Sequence, residues 1–342
     1  MPIHPFDPPR GRVEVLRIDS KALAGNLLHD PEERAVAVYL PEGYAASREE
    51  YPLFVDLVGF TGSGFSHLNW KAFHESLPQR LDRLVGEGCM GPVVLALPDG
   101  FTSLGGNQYI NSAAMGAWED FLVDEMLPRL ESELRLRRGR EHRAVFGKSS
   151  GGYGAIVHGL RQADAWAAVA CHSGDMAFEL VYLTELPKTL NTLAKHERSI
   201  QKFLEHVAKT EKLEPDDMHA LMMLAMAATY DPDPQAPSGI RLPVDLETCA
   251  LDAAAWARWK RHDPLELVQK PECQANLKRL KGLYIDCGSK DQYHLHFGAR
   301  ALVRRLAELG IEHHYEEFEG NHSDIDYRMD RSLPYLYEAL TR

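Results

Sequence analysis

The tightest constraint on the fold is a strand–turn–helix passage around residue 149. Arg143-Ala-Val-Phe146 reads as a short apolar strand, Gly147-Lys-Ser-Ser-Gly-Gly152 as a turn, and Tyr153 to Leu160 as a helix. Glycines at −2 and +2 of Ser149 supply the space that a sharp strand-to-helix turn needs, because they carry no Cβ. Ser150 lacks this spacing, since Lys148 stands at its −2 position. Such a turn belongs in a layered α/β structure, and the surrounding chain agrees. Arg12–Ile18 and Arg34–Leu40 alternate as half-buried strands do, whereas Pro52–Val58 and Val93–Leu97 are nearly continuous in apolar residues, as strands covered on both faces should be. Further strands are expected at Ala167–Cys171, Gly282–Gly288 and His313–Phe318, and helices over 68–85, 118–134, 153–160 and 297–309, with one more at the C-terminus. This alternation predicts a mostly parallel, doubly wound α/β sheet with helices on both faces.

The pattern is interrupted from about Asp175 to Asn276, where strand signals fade and helical faces such as Leu190, Leu193, Ile200, Phe203, Leu204 and Val207 replace them. The expectation is a core of residues 1–174 and 277–342 with a helical insertion, a lid or cap, at 175–276. No stretch reaches the roughly 18 to 20 apolar residues of a membrane helix, and Met1–Arg10 lacks the basic and apolar regions of a secretory leader. Five scattered cysteines with no CxxC pair argue for reduced thiols and a cytoplasmic setting. The net charge of −12 speaks against nucleic acid as a partner. The run Arg135–Arg143 reads as a solvated turn, and a homo-oligomer is left open.

The turn at 147–151 is the nucleophile elbow of the α/β-hydrolase fold, which makes Ser149 the candidate nucleophile. A serine hydroxyl needs a base to take its proton, and in this fold an acid and then a histidine follow in chain order. Asp291 comes just past strand 282–288, and His322 just past strand 313–318. Asp286 is the rival acid, but it falls inside its strand, and Asp324 is too close to His322 in sequence. Two backbone N–H groups are needed where an oxyanion forms: one from Ser150, the other from the Gly59-Phe60-Thr61 loop, most simply Phe60. Thr61 and Tyr109 are candidate substrate contacts. His172 is either another or an ordinary polar loop residue. His294 and His296 lack a third ligand nearby, so no metal is expected, and no organic cofactor is called for. Met218, Met222, Met223 and Met226 form either an apolar wall of an acyl pocket or the core of the insertion, and the same choice applies to Trp256 and Trp259.

Several runs resemble the putative-esterase family of α/β-hydrolases that includes esterase D, S-formylglutathione hydrolases, enterochelin esterases and the mycolyltransferase antigens. They are Val36-Ala-Val-Tyr-Leu-Pro-Glu-Gly-Tyr44, Gly59-Phe-Thr-Gly62, Leu97-Pro-Asp-Gly100, Gly147-Lys-Ser-Ser-Gly-Gly-Tyr-Gly-Ala155, Asp286-Cys-Gly-Ser-Lys-Asp291 and Gly320-Asn-His322. The resemblance implies cleavage of a small-molecule carboxylic ester by Ser149, Asp291 and His322, or acyl transfer to an alcohol or thiol with the same groups. Two departures stand out. Val58-Gly59 replaces the His-Gly of many members, and the 175–276 region is much longer than in compact ones.

Overall fold

The computed structural model describes residues 8–342; most of the stretch read for a leader lies outside the described residues. Among the described residues there are ten strands: β1 (Arg12–Asp19), β2 (Glu33–Leu40), β3 (Leu53–Leu57), β4 (Val94–Pro98), β5 (Asn111–Ser112), β6 (Gly116–Ala117), β7 (Arg143–Lys148), β8 (Ala168–His172), β9 (Gly282–Gly288) and β10 (His314–Phe318). Eight form one sheet in the order β1-β2-β4-β3-β7-β8-β9-β10, and β5 and β6 make a separate ribbon. β2 runs antiparallel to both β1 and β4, and every other neighbouring pair in the large sheet is parallel. The central strands β3, β4 and β9 are buried at every position, which explains their unbroken apolar character.

Strand alternation sorts the core into two layers. One face, with Val55, Leu57, Val145, Val169, Cys171 and Ile285, packs against α4 (Ser150–Arg161) and the helices beyond it. The other face, with Phe54, Phe146, Ala168, Ala170 and Tyr284, packs against α1 (Leu77–Gly86) and α13 (Met329–Thr341). Between β8 and β9 the chain runs through helices α5 (Phe178–Val181), α6 (Leu186–Ala194), α7 (Ile200–Lys209), α8 (Pro215–Tyr230), α9 (Ala253–Lys260), α10 (Pro264–Leu267) and α11 (Pro271–Lys278). An aromatic cluster of Phe178, Tyr182, Tyr230 and Trp259 fills this helical segment. Trp259 is therefore a packing residue.

Two helices differ from the expected spans. Residues 68–85 do not form one helix: a 3₁₀ turn spans Gly64–Leu68, and α1 begins only at Leu77. Ser76 and Gln79 form a reciprocal capping box there, and Pro78 suits the first turn of a helix but not its interior. The 118–134 helix is divided into α2 (Trp118–Asp120), a π turn (Phe121–Met126) and α3 (Leu127–Glu133). Pro128 has no N–H to offer the preceding turn, and the helix widens just before it.

The sharpest packing contact joins α4 to β3. A Cβ on Gly151 would lie 1.7 Å from the Leu57 carbonyl oxygen, and one on Gly147 would lie 2.3 Å from the same atom. Gly151→Ala is therefore expected to destabilise the fold by about 3 kcal/mol or more, the upper end for an overpacked core. Guanidinium unfolding would measure this; an unchanged midpoint would mean that the helix can move away from the sheet.

Candidate active site

Ser149 sits between β7 and α4 with φ 58° and ψ −124°, a strained backbone for a residue with a side chain. The strain is held from both sides. The Ser149 N–H donates to the His172 carbonyl (3.0 Å), and the Ser149 carbonyl accepts from the Tyr153 N–H (2.8 Å). Gly59 approaches closely, since a Cβ there would be 3.4 Å from the Ser149 Cβ. Ser149, Phe60, Thr61, Ser150 and His322 line one cavity of about 520 Å³ at the C-terminal edge of the sheet. Such an edge is where open α/β sheets place their sites.

His322 and Asp291 form a pair. The ring Nδ1 lies 2.8 Å from Asp291 Oδ2, and the carboxyl is wholly buried. Asp291 Oδ1 accepts the Tyr293 N–H (2.9 Å), Gln292 Oε1 accepts the His322 N–H (3.0 Å), and the Tyr293 ring meets the imidazole edge-on at 5.0 Å. With Nδ1 turned to the acid, Nε2 is left for another partner. Among the described residues the Ser149 hydroxyl makes no hydrogen bond, and catalytic hydrogen bonds often tighten only when substrate is bound. The Phe60 and Ser150 N–H groups donate to no group among the described residues; Ser150 opens α4, where the first amides lack partners within the helix. The Phe60 carbonyl is fixed by the Gly106 N–H at 2.6 Å.

Two residues expected at the substrate are elsewhere. His172 shares a strand face with Ala168 and Ala170, so its ring points toward α13. Nδ1 is 2.7 Å from Asp286 and Nε2 is 2.8 Å from Ser332, with the ring buried and out of the cavity. Asp286 belongs to the same network. It accepts from Arg328 Nε at 2.9 Å, and Arg328 also bonds Glu316 and the Tyr284 hydroxyl. Asp286 thus has a structural set of partners, which separates it from Asp291. Tyr109 is also buried outside the cavity. Its hydroxyl donates to the Val58 carbonyl (2.9 Å), so it supports the Gly59–Phe60 loop from behind. Asn111 bonds Asp120, also away from the cavity. Along α8, Met218 and Met222 line the cavity whereas Met223 and Met226 are buried in the core.

No motif or spacing in the sequence singles out His67, Gln108 or Asp175. His67 Nδ1 lies 2.5 Å from the buried Asp56 on β3 and so ties the loop after β3 back to its own strand. Asp175 faces the cavity and is held by Gln108 and Tyr182. Among the described residues one group could hold a metal ion, His196, His206 and Asp217, and none of the three lines the cavity. Also among them, no helix is long and apolar enough to cross a membrane.

The family described as Putative esterase matches residues 30–330. The chain belongs to that esterase family. Two esterases of Mycobacterium tuberculosis strains are 30% identical to it over 140 residues, 41% of this chain and 28% of theirs. The aligned stretch thus spans little more than a quarter of those relatives. Solved structures of α/β-hydrolase fold are similar to this chain. A ferulic acid esterase superposes with a TM-score of 0.60 at 19% identity, covering 96% of this chain and 98% of the other. S-formylglutathione hydrolases of Staphylococcus aureus (TM-score 0.57, 15% identity, 97% and 99% covered) and Agrobacterium tumefaciens (0.56, 16%, 99% and 99%) are similar in fold.

The His67–Asp56 pair predicts a pH dependence. Burial alone would lower the His67 pKa, but the Asp56 carboxylate outweighs it and holds the ring above its usual 6.5. The folded state then binds a proton that the unfolded state releases as pH rises past 6.5. The pair's contribution is full below that value and is lost as pH climbs through the raised pKa. Guanidinium unfolding of wild type and His67→Gln between pH 5.5 and 9 should show the stability gap closing toward alkaline pH; a constant gap would refute the pairing.

Proposed function

We propose that the protein hydrolyses carboxylic esters through a Ser-His-Asp triad and an acyl-enzyme. The observation that carries this reading is the convergence on one cavity of a strained Ser149 and a His322 ring whose Nδ1 is bonded to buried Asp291 at 2.8 Å. Ser149 Oγ attacks the ester carbonyl while His322 Nε2 takes its proton. Asp291 fixes the tautomer and stabilises the imidazolium. The carbonyl oxygen becomes an oxyanion facing the Phe60 and Ser150 N–H groups, with the N-terminal end of α4 adding its dipole. Collapse of the tetrahedral intermediate breaks the ester C–O bond, and His322 gives its proton to the leaving alkoxide. A water molecule then repeats the sequence on the acyl-enzyme and frees the acid.

The names of the structural neighbours, ferulic acid esterase and S-formylglutathione hydrolase, suggest esters and thioesters of small acids, and a cavity of about 520 Å³ suits molecules of that size. Helices α5 to α11 serve as the cap in this reading, with Met218 and Met222 of α8 as an apolar wall and Thr61 as a polar contact. Acyl transfer to an alcohol or thiol would use the same triad, but nothing in the cavity singles out such an acceptor. The five cysteines are unpaired, which fits a cytoplasmic enzyme.

Initial rates on p-nitrophenyl esters from acetate to decanoate test the proposal. Ser149→Ala should abolish turnover, and Asp291→Asn should lower kcat by roughly 10⁴-fold through the wrong imidazole tautomer. Asp286→Asn should instead act mainly on stability. Undiminished turnover in Ser149→Ala would overturn the reading, and loss of kcat at Asp286 rather than Asp291 would reassign the acid.

A further inference from the structure

One buried acid in the cavity has no part in the chemistry above. Asp175 follows β8 through Ser173 and Gly174, and this turn is clamped. The Ser173 N–H donates to the Asp286 carbonyl at 2.8 Å, and a Cβ on Gly174 would lie 2.5 Å from Cys171 Sγ and 2.8 Å from the Gly152 carbonyl carbon. The Asp175 carboxyl is therefore carried on backbone that has little room to shift. Its Oδ2 accepts two hydrogen bonds, from Gln108 Nε2 (3.0 Å) and the Tyr182 hydroxyl (2.9 Å). The Tyr182 hydroxyl lies 3.1 Å from that of Tyr230, and Gln108 Nε2 is also 3.2 Å from Ser150 Oγ. This places the acid beside one of the proposed oxyanion donors.

Among the described residues no lysine or arginine pairs with Asp175, and its Oδ1 has no protein partner although the residue lines the cavity. Of the other lining residues, Val181, Tyr182, Met218 and Met222 are apolar or aromatic, and His219, beside the two methionines on α8, is paired with Glu185. A few fixed polar groups in a largely apolar lining are the arrangement that orients a ligand, and the second Asp175 oxygen is open to one more hydrogen bond. Burial raises the Asp175 carboxyl above its usual range, with the Gln108 and Tyr182 hydrogen bonds pulling it back. A hydroxyl satisfies such a group in either state, since it can donate to the carboxylate or accept from the acid. A carboxylate would be repelled. An ammonium would sit close to the His322 ring, which must itself turn positive during the reaction.

We propose that Asp175 is a specificity-determining residue whose free oxygen hydrogen-bonds a hydroxyl on the acyl group, so that preferred substrates are esters of hydroxylated carboxylic acids. The assignment rests on the ester-hydrolase reading and narrows it. The same cavity also carries the ion pair of Lys71 with Asp324 (2.6 Å) and the looser contact of Lys148 with Asp326 (3.8 Å). Those charged pairs suit a polar departing alcohol, and the methionines and Val181 suit the acyl chain.

The test uses two pairs of p-nitrophenyl esters: 3-hydroxybutyrate against butyrate, and 3-(4-hydroxyphenyl)propanoate against 3-phenylpropanoate. In at least one pair wild type should favour the hydroxylated ester in kcat/KM by tenfold or more, because a site built around a hydroxyl discriminates against its absence. Asp175→Leu should cut that preference at least tenfold, chiefly through KM of the hydroxylated ester, and Asp175→Asn should keep most of it. A readout that needs no variant is methylation of the favoured hydroxyl, which should cost wild type a comparable factor. No preference in either pair, or a preference that Asp175→Leu and methylation leave unmoved, overturns the assignment while the hydrolase reading stands. Turnover that survives in Ser149→Ala overturns the hydrolase reading itself, and this inference with it.

Discussion

The structure depends on how closely helix α4 can approach strand β3. The Leu57 carbonyl oxygen occupies the space that a Cβ on Gly147 or Gly151 would need, so this contact exists only because both positions are glycine. With the helix pressed against the sheet, the chain must turn within one residue, and Ser149 takes the positive φ that the turn demands. An exposed turn would relax such strain. Here the His172 carbonyl and the Tyr153 N–H grip Ser149 from opposite sides, so the hydroxyl stays at the sheet edge and the first amides of α4 stay free beside it. Strain held by its surroundings is a recurring property of reactive positions.

A second consequence of the sheet is that two aspartates five residues apart have different roles. Asp286 lies within β9 and, by strand parity, shares the α13 face with Tyr284 and with His172 of the adjacent β8. There Arg328 balances its charge. Asp291 lies beyond the strand end, where the loop turns it to the other side and His322 meets it after β10. Both carboxyls are buried, and each has a cationic or ionisable partner, as buried acids require. The first pair fastens α13 to the sheet; the second faces the cavity.

Much of this was legible in the residues. The glycines around Ser149, the apolar runs of β3 and β4, and the positions of Asp291 and His322 just after strands each express a local rule. Two misplacements also had readable signals. Strand parity with Ala168 and Ala170 sends His172 to the α13 face, and Ser76 followed three residues later by Gln79 marks the start of α1. Gln108, Asp175 and His67 are different. Asp175 and Gln108, 67 residues apart, meet only when separate loops converge, and the His67–Asp56 pair depends on how the loop after β3 folds back on its own strand. Nothing in their immediate neighbours announces a site. The sequence puts Tyr109 near the site, but only packing decides that it supports the Gly59–Phe60 loop from behind and does not line the cavity.

The central claim is that Ser149 is a nucleophile activated by His322. Diethyl p-nitrophenyl phosphate, which phosphorylates an activated serine and releases nitrophenol, tests it most directly when the adduct is located by tandem mass spectrometry. The account predicts a single diethylphosphoryl group on Ser149, formed rapidly in wild type and hardly at all in His322→Ala. A label on Ser150, or labelling of Ser149 at the same rate without His322, would contradict it.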